Sequence, residues 1–213
     1  AVNGLGPAIP AEMLRRLQTQ IDALGPRDTL VLAGSIPASL SQDIYKDLLA
    51  QTAPKGVRGV VDATGGLLRM VLPYRPFLIK PNREELGELF GKNLEGEDGL
   101  LACARILQRE GARNILVSLG GDGALLLTEE GQVLRRGAPT GTLVNSVGAG
   151  DSMVAGFLAG YDGSGGDYIR ALELGLLAGS ATAFHDWLAT KQDIDTLQAR
   201  GGSVARGGSV ARA

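Results

Sequence analysis

The chain has 213 residues, of which 44% are apolar, so it is long enough to bury the core of one large domain or two small ones. It carries 21 Lys and Arg against 23 Asp and Glu, and the resulting net charge of −2 gives no support to nucleic-acid binding or to a role at a membrane surface. Cys103 is the only cysteine, which excludes an intrachain disulfide and a cysteine metal cluster, and no segment reaches the roughly 18 uninterrupted apolar residues of a membrane span.

The first half of the chain predicts alternating helices and strands. Residues 10–24 carry apolar side chains at helical spacing and are followed by Gly25 and Pro26, which predicts an amphipathic helix that ends there. Residues 29–33 form a short apolar run, as expected of a buried parallel strand, and Gly34-Ser35-Ile36-Pro37 follows it directly. Further helices are predicted over residues 41–51, 66–72, 82–90 and 98–110, and further strands over 57–61, 77–79 and 114–118.

The second half begins with a glycine turn and a hairpin. Gly120 to Gly123 predict the turn, and residues 124–128 and 132–135 predict an antiparallel pair around Glu130-Gly131. Helices are predicted to start near Asp151 and to cover residues 167–187 and 194–200. Strands and helices alternate repeatedly, and polar or glycine residues follow the strands. This pattern predicts an α/β protein with a doubly wound sheet and a functional site along the strand ends.

The most informative stretch runs from residue 145 to residue 160. Gly148-Ala149-Gly150 form a turn before a helix, whose free N–H groups and positive dipole end make an anion site, and glycine lets a phosphate approach the backbone. Asp151 would repel that phosphate. It is therefore either a base that takes a proton from a nucleophile attacking the phosphate or only the N-cap of the helix. The dinucleotide fingerprint would need glycine at Met153, and the sequence contains no G-K-[ST] motif.

The same stretch resembles the second signature of the PfkB sugar kinases, the ribokinase-like family. In that family the aspartate of the G-A-G-D turn is the catalytic base, and the turn is an anion hole for the transferred phosphoryl group. The resemblance implies that Asp151 is the base and contacts the sugar substrate, and that Gly148, Ala149 and Gly150 hold the phosphoryl group. It also implies a three-layer, doubly wound, mostly parallel sheet.

Two further motifs resemble nucleotide-binding elements of this family. The glycine-rich run after the predicted strand over 114–118 also fits a plain hairpin turn, but the resemblance implies ATP contacts from Ser118, Leu119, Gly120, Gly121, Asp122 and Gly123. The segment from Lys80 to Glu85 resembles the K-P-N-x-x-E element. That likeness implies that Lys80 and Asn82 contact ATP and that Asn82 and Glu85 orient Mg²⁺, through water. Asn82 followed by Glu85 is equally the pattern of a helix capping box, and spacing does not separate the two.

The sugar side of the reaction is expected at Ser35. Gly34-Ser35-Ile36-Pro37 resembles the G-S-x-P loop in which the serine contacts a sugar phosphate, although a plain turn before a helix would look the same. The flanking motifs are similar to members that phosphorylate fructose 1-phosphate, with kinases of tagatose 6-phosphate and fructose 6-phosphate close by. The resemblance thus implies ATP- and Mg²⁺-dependent phosphorylation of fructose 1-phosphate at C6, and a homodimer in complete members. A nucleotide-binding fragment without turnover is the alternative of another class.

Both ends of the chain carry expectations. Family members have a long segment before the position of Asn3, so we expect residues 1–200 to be a kinase core without its N-terminal third and lid, inactive alone. The repeat at 201–206 and 207–212 has no apolar periodicity, which predicts a flexible tail over 201–213. No signal peptide opens the chain, so a cytoplasmic location is expected. Cys103 is expected to be buried and His185 to be structural or on the surface, and no chemistry is assigned to Asp62.

Overall fold

The computed structural model describes residues 6–200, so the start of the chain at Asn3 and the repeat predicted as a tail over 201–213 lie outside the described residues. The chain divides into two compact units. One contains the residues up to Pro81 together with Gly87–Ile115, and the other contains Asn82–Leu86 and the residues from Leu116 onward. In the described part of the chain, no helix combines the length and the apolar character needed to cross a bilayer.

The structure contains eight α-helices and six strands within residues 6–200. The helices are α1 (Ala11–Asp22), α2 (Ile44–Thr52), α3 (Gly65–Val71), α4 (Arg83–Phe90), α5 (Gly96–Glu110), α6 (Ala149–Gly163), α7 (Tyr168–Ala183) and α8 (Lys191–Ala199). The strands are β1 (Thr29–Ala33), β2 (Arg58–Asp62), β3 (Leu78–Ile79), β4 (Asn114–Ser118), β5 (Ala124–Leu127) and β6 (Val133–Arg136). They form one sheet in the order β1-β2-β3-β4-β5-β6. The predicted α/β class is confirmed.

Parallel pairing organises the first unit. β1 pairs with β2, β2 with β3, and β3 with the first residues of β4, all in parallel. The central strands β2, β3 and β4 carry apolar residues at consecutive positions, and Val60, Leu78 and Ile115 are fully buried. A parallel strand covered on both faces is expected to be apolar at consecutive positions, which is why these short runs could be predicted as strands. The register pairs Val61 with Ile79, so Asp62 and Lys80 follow directly at the carboxyl ends of neighbouring strands.

A hairpin and a helix pair form the second unit. β5 and β6 are antiparallel, with Leu127 opposite Val133, and all four residues of β5 are buried. α6 and α7 approach each other through glycine. A Cβ atom built on Gly156 or Gly160 of α6, or on Gly175 or Gly179 of α7, would lie 2.6 to 3.0 Å from a carbonyl oxygen of the other helix. Two main chains therefore meet there, since no side chain larger than a hydrogen fits between them.

Helix starts differ from the sequence prediction by one to three residues; α5 was expected from residue 98 and begins at Gly96, and α8 was expected from residue 194 and begins at Lys191. α2 was expected from residue 41 and begins at Ile44. The Ser41 hydroxyl accepts a hydrogen bond from the Asp43 N–H, and Ser41 O accepts one from the Ile44 N–H, so serine forms a local turn that competes with helix at this point. α6 was expected to start near Asp151 and begins at Ala149.

Candidate functional site

The predicted anion turn forms the start of α6. Gly148 is the N-cap residue and has φ of 79°, in the left-handed region that glycine adopts without strain. The helix begins at Ala149, so Asp151 is its third residue. The alternative that Asp151 serves only as the N-cap is therefore wrong, because glycine occupies the cap position and no side chain caps this helix.

The first turn of α6 offers unused donors beside a carboxylate. The Ser152 N–H donates to Gly148 O over 2.9 Å, and the Ala149 N–H donates to Ser146 O over 3.2 Å. Within residues 6–200, the N–H groups of Gly150 and Asp151 donate to no protein acceptor. The Asp151 side chain is exposed and makes no hydrogen bond to another described residue. Both amides lie at the positive end of the helix dipole, which is the arrangement of an anion site.

A cleft of about 520 Å³ in the second unit joins this turn to the glycine-rich loop that follows β4. Among the residues proposed from sequence, Ser118, Gly120 and Gly121 line it, and so do Ala149 and Gly150. A Cβ atom built on Gly120 or Gly121 would meet nothing within 4 Å, so the loop leaves open space at this wall. The fold thus brings the two glycine motifs, about 30 residues apart in the chain, to one cavity.

The other three residues of the loop shape it without lining the cleft. Leu119 is buried, and its N–H donates to Gly123 O over 2.8 Å. Gly123 has φ of 94°, and a Cβ atom there would lie 2.0 Å from Arg136 O. The Asp122 carboxylate pairs with the Arg83 guanidinium over 3.1 Å, which ties the loop to the first turn of α4. ATP contacts from Leu119, Asp122 and Gly123 therefore stay a prediction.

The remaining walls of the cleft come from α7 and from the segment before α6, which the sequence reasoning did not assign to the site. The α7 side contributes Leu176, Gly179, Ser180 and Ala183, together with Phe184 directly after the helix. The segment before α6 contributes six residues, which are Ala138, Pro139, Thr140, Gly141, Leu143 and Ser146, and Met153 of α6 completes the lining. The walls are largely apolar, as expected for a site that takes a flat ring. The glycine spacing at 175 and 179, which matches that at 156 and 160, is a sequence signal for a close contact between two helices, and of these four glycines Gly179 lines the cleft.

Asn82 and Glu85 form a reciprocal cap at the start of α4. The Asn82 N–H donates to Glu85 Oε2 over 2.9 Å, and the Glu85 N–H donates to Asn82 Oδ1 over 2.8 Å. Asn82 also forms a parallel bridge with Ser118, which brings the cap beside the glycine-rich loop. The capping-box prediction is confirmed. The magnesium role stays a prediction that is compatible with the cap, because each side chain keeps lone pairs that can accept from water.

The residues predicted for the first unit lie after β1 and β3. Ser35 follows Gly34, which has φ of 84° and donates from its N–H to Asp62 O over 3.1 Å. Lys80 is buried, and its Nζ lies 3.1 Å from Asp62 Oδ2. The sequence reasoning missed this ion pair and assigned Asp62 no role. The signal was present, since both residues end neighbouring predicted strands.

Tyr45 completes the cluster around Asp62. Its hydroxyl donates to Ala33 O over 2.7 Å and to Gly34 O over 3.2 Å. Burial, together with the nearby negative charge of Asp62, raises the pKa of the Tyr45 hydroxyl, so it remains a donor over the neutral range. The tyrosine therefore fixes the turn that carries Ser35.

The expectations for Cys103 and His185 are confirmed. Cys103 is buried, and its pKa is raised by that burial. His185 is on the surface, with Nε2 3.7 Å from Asp193 Oδ1.

Within the described residues, no group of three or more His, Cys, Asp or Glu side chains is arranged to hold a metal ion. Any Mg²⁺ held here would depend mainly on water and on ligand oxygens, as this ion commonly does.

The comparisons with known proteins agree on one family of carbohydrate kinases. Residues 3–191 match the model of the pfkB family carbohydrate kinases. The chain is 42% identical over 196 residues to the 1-phosphofructokinase of Bacillus subtilis, an alignment that covers 92% of this chain and 64% of that protein. It is 34% identical over 191 residues to the D-tagatose-1-phosphate kinase of Bacillus licheniformis, covering 89% of this chain and 62% of that protein. The chain thus spans less than two thirds of the length of these relatives.

Solved structures agree in fold. Phosphofructokinase-2 from Escherichia coli, in complex with substrates and products, is similar with a TM-score of 0.83 and 28% identity over 91% of this chain and 63% of that chain. The ribokinase of Arabidopsis thaliana, complexed with ribose and ATP, has a TM-score of 0.71 at 19% identity, covering 90% of this chain and 60% of that chain. The latter likeness concerns the fold alone.

Proposed function

The chain belongs to the pfkB family of carbohydrate kinases, and from that premise we propose that it carries the nucleotide half of an ATP-dependent phosphosugar kinase. ATP would occupy the cleft of about 520 Å³, with its base against the apolar walls from α7 and its phosphates directed toward the first turn of α6. The observation that supports this most is the pair of unused N–H groups at Gly150 and Asp151 beside the exposed Asp151 carboxylate. Donors fixed in this way stabilise charge that develops on a transferred phosphoryl group.

Asp151 is the proposed general base. The C6 hydroxyl oxygen of fructose 1-phosphate would form a bond to the γ-phosphorus, while the bond from that phosphorus to the bridging oxygen breaks and ADP leaves. The hydroxyl proton would pass to the Asp151 carboxylate. A carboxylate repels a phosphate, so its place beside an anion site makes sense for proton acceptance and not for phosphate binding. Ala149 and Gly148 hold the turn, and Ser35 is the proposed contact of the sugar phosphate.

Magnesium and Lys80 have supporting parts in this proposal. Mg²⁺, oriented by Asn82 and Glu85 through water, would neutralise the ATP phosphates. Lys80 would add positive charge for the same phosphates, although its Nζ is engaged with Asp62 at 3.1 Å. Lys80 could contact a phosphate oxygen either while it keeps the Asp62 contact or after it exchanges that contact for the phosphate.

The substrate is proposed as fructose 1-phosphate because the relative from Bacillus subtilis bears the name 1-phosphofructokinase and is 42% identical. D-tagatose 1-phosphate is the second candidate, since a kinase of that name is 34% identical. Fructose 6-phosphate and tagatose 6-phosphate complete the panel. A coupled assay that detects ADP release should be run with each sugar on the purified chain, alone and together with the N-terminal third of the Bacillus subtilis enzyme, using the complete Bacillus subtilis enzyme as a positive control. No turnover is expected from the chain alone. In the mixture the highest kcat/KM is expected with fructose 1-phosphate, and a higher value with any other sugar would overturn the substrate assignment.

A nucleotide-binding protein without turnover is the alternative of another class. Calorimetry with Mg·ATP separates the outcomes. Binding without ADP release, even when the N-terminal third of the Bacillus subtilis enzyme is present, would favour that alternative, whereas no binding would contradict both proposals. We also propose a homo-oligomer, since phosphofructokinase-2 from Escherichia coli is described in a tetrameric inhibited form. Sedimentation of the purified chain as a monomer at micromolar concentration would contradict self-association.

A further inference from the structure

A buried hydroxyl on α7 is hydrogen-bonded to the start of α6. Thr182 is 1% exposed, and its Oγ1 donates to Ser152 Oγ over 2.8 Å. The same Oγ1 accepts from the Ala189 N–H over 3.1 Å. Ser152 directly follows Asp151, so Thr182 connects the residue after the proposed base to the segment between α7 and α8.

That segment also touches α6 directly. The Leu188 side chain covers Gly148, because a Cβ atom built on this glycine would lie 2.5 Å from Leu188 Cδ2. Leu188 is adjacent to Ala189, whose N–H is held by Thr182. The cap residue Gly148 therefore faces Leu188, and Ser152 is connected to the adjacent Ala189 through the Thr182 hydroxyl.

We propose that Thr182 is a positioning residue for the first turn of α6, which it holds so that the Gly150 and Asp151 amides and the Asp151 carboxylate keep one geometry. The claim about geometry stands on these contacts, and its consequence for catalysis rests on the function proposed above. Loss of the hydroxyl would leave the partly buried Ala189 N–H and the Ser152 hydroxyl without this partner, and valine, which has the same shape, cannot replace it. Small misplacements of reacting groups are costly: about 1 Å can cost about 100-fold in rate.

Amide hydrogen exchange of the chain, without ligand, tests the geometry. Thr182→Val should speed exchange of the Ser152 and Met153 amides by about tenfold or more, because local opening would become easier, while the Phe157 amide in the middle of α6 stays near its wild-type rate. Thr182→Ser, which keeps the hydroxyl, should restore slow exchange.

A matched control is Thr52→Val. Thr52 is also 1% exposed, and its hydroxyl donates to Leu48 O within α2 over 2.8 Å, in the other unit. This variant should lower the melting temperature without affecting the α6 amides. If the Ser152 and Met153 amides exchange at wild-type rates in Thr182→Val, or if Thr52→Val speeds them equally, the proposal is overturned.

A second measurement connects the geometry to function. The proposed site for the γ-phosphate is the first turn of α6, so Thr182→Val should weaken Mg·ATP binding several-fold more than Mg·ADP binding, and Thr182→Ser should return the ratio to normal. Equal loss of both nucleotides would overturn the consequence for catalysis. Failure of the wild-type chain to bind either nucleotide would contradict the proposed function, and the exchange experiment would still decide the role of Thr182.

Discussion

Asn82 and Glu85 each accept a hydrogen bond from the backbone N–H of the other, over 2.8 and 2.9 Å. This reciprocity fixes the first turn of α4 beside Ser118, since Asn82 also bridges to that residue. Two roles predicted for one pair of side chains are thus compatible in geometry. One oxygen of Glu85 is used by the helix, and the second oxygen of the carboxylate remains for water or a cation.

The first prediction separates these two roles at Glu85. Glu85→Gln keeps a carbonyl oxygen for the Asn82 N–H but removes the negative charge. We expect the Mg²⁺ concentration at half-maximal ATP binding to rise several-fold, while the free energy of unfolding changes by less than about 1 kcal/mol. Glu85→Ala is the control, because it removes the cap as well and should lower stability. An unchanged Mg²⁺ requirement in Glu85→Gln would leave the cap as the only role of this residue.

The second prediction concerns Asp151. Asp151→Asn keeps the size of the side chain but cannot accept the proton, and loss of a general base should lower kcat by about 10²–10⁴. ATP affinity should be equal or tighter, because a negative charge beside the γ-phosphate is removed. The change should be made in this chain for calorimetry and at the matching aspartate of the Bacillus subtilis relative for kcat.

Asp98→Asn is the matched control for Asp151. Asp98 is likewise the third residue of its helix, α5, and it is exposed. The effect on stability of removing an acidic residue from a helix start should be the same at both positions. The effect on turnover should occur only at Asp151. A mutant that keeps near wild-type kcat would disprove the base assignment.

The third prediction concerns the backbone of the glycine-rich loop. Gly123→Ala adds a Cβ atom that would lie 2.0 Å from Arg136 O at a residue with φ of 94°. We expect a loss of about 2–5 kcal/mol in the free energy of unfolding, from left-handed strain and overpacking together. Gly131→Ala is the control, because Gly131 has φ of 79° but open space around it. It should cost only about 1–2 kcal/mol, and equal losses in urea denaturation would contradict this account.

The fourth prediction concerns pH and the start of α8. The Thr190 hydroxyl donates to the Asp193 carboxylate, as does the Thr190 backbone N–H, and these bonds hold the pKa of Asp193 below its ordinary value of 3.8. A lowered folded pKa stabilises the fold above the unfolded value and loses that stabilisation as pH falls through the folded value. The difference in urea midpoint between wild type and Asp193→Asn should therefore be constant near neutral pH and should shrink below pH 3.8. In a Thr190→Ala background, which lacks the hydroxyl donor, the difference in urea midpoint caused by Asp193→Asn should also be smaller. A wild-type difference that stays constant into acid would contradict the linkage.

Much of the fold could be predicted because short apolar runs have few alternatives. β1 and β4 were predicted at the bounds that the structure shows, and the hairpin was placed from the glycine between its strands. Helix starts were less accurate, because Ser, Asn and Asp favour the cap, the first turn and the local turns that precede a helix. Asp151 illustrates this ambiguity: an aspartate after Gly-Ala-Gly suits both the cap position and the third position.

The site was predictable only in its glycine-rich parts. Gly120, Gly121 and Gly150 predict a close approach of the backbone to a ligand, and all three line the cleft. The apolar walls from Leu176 and Phe184 could not be predicted, since an apolar residue at helical spacing is interpreted as part of the core wherever it lies. The Lys80–Asp62 pair and the Thr182 hydroxyl depend on tertiary proximity. Only the first of these could have been inferred, by aligning the ends of neighbouring predicted strands.

The glycine contact between α6 and α7 has a consequence for how this protein can diverge. Where side chains separate two helices, each exchange of one residue for a larger or smaller one shifts the helices, and homologues drift apart in geometry. Here main chain rests on main chain, so the separation is fixed by peptide dimensions and not by the identity of neighbouring residues. The sequence around the contact can therefore change while the first turn of α6 keeps its place, provided that the four glycines are retained.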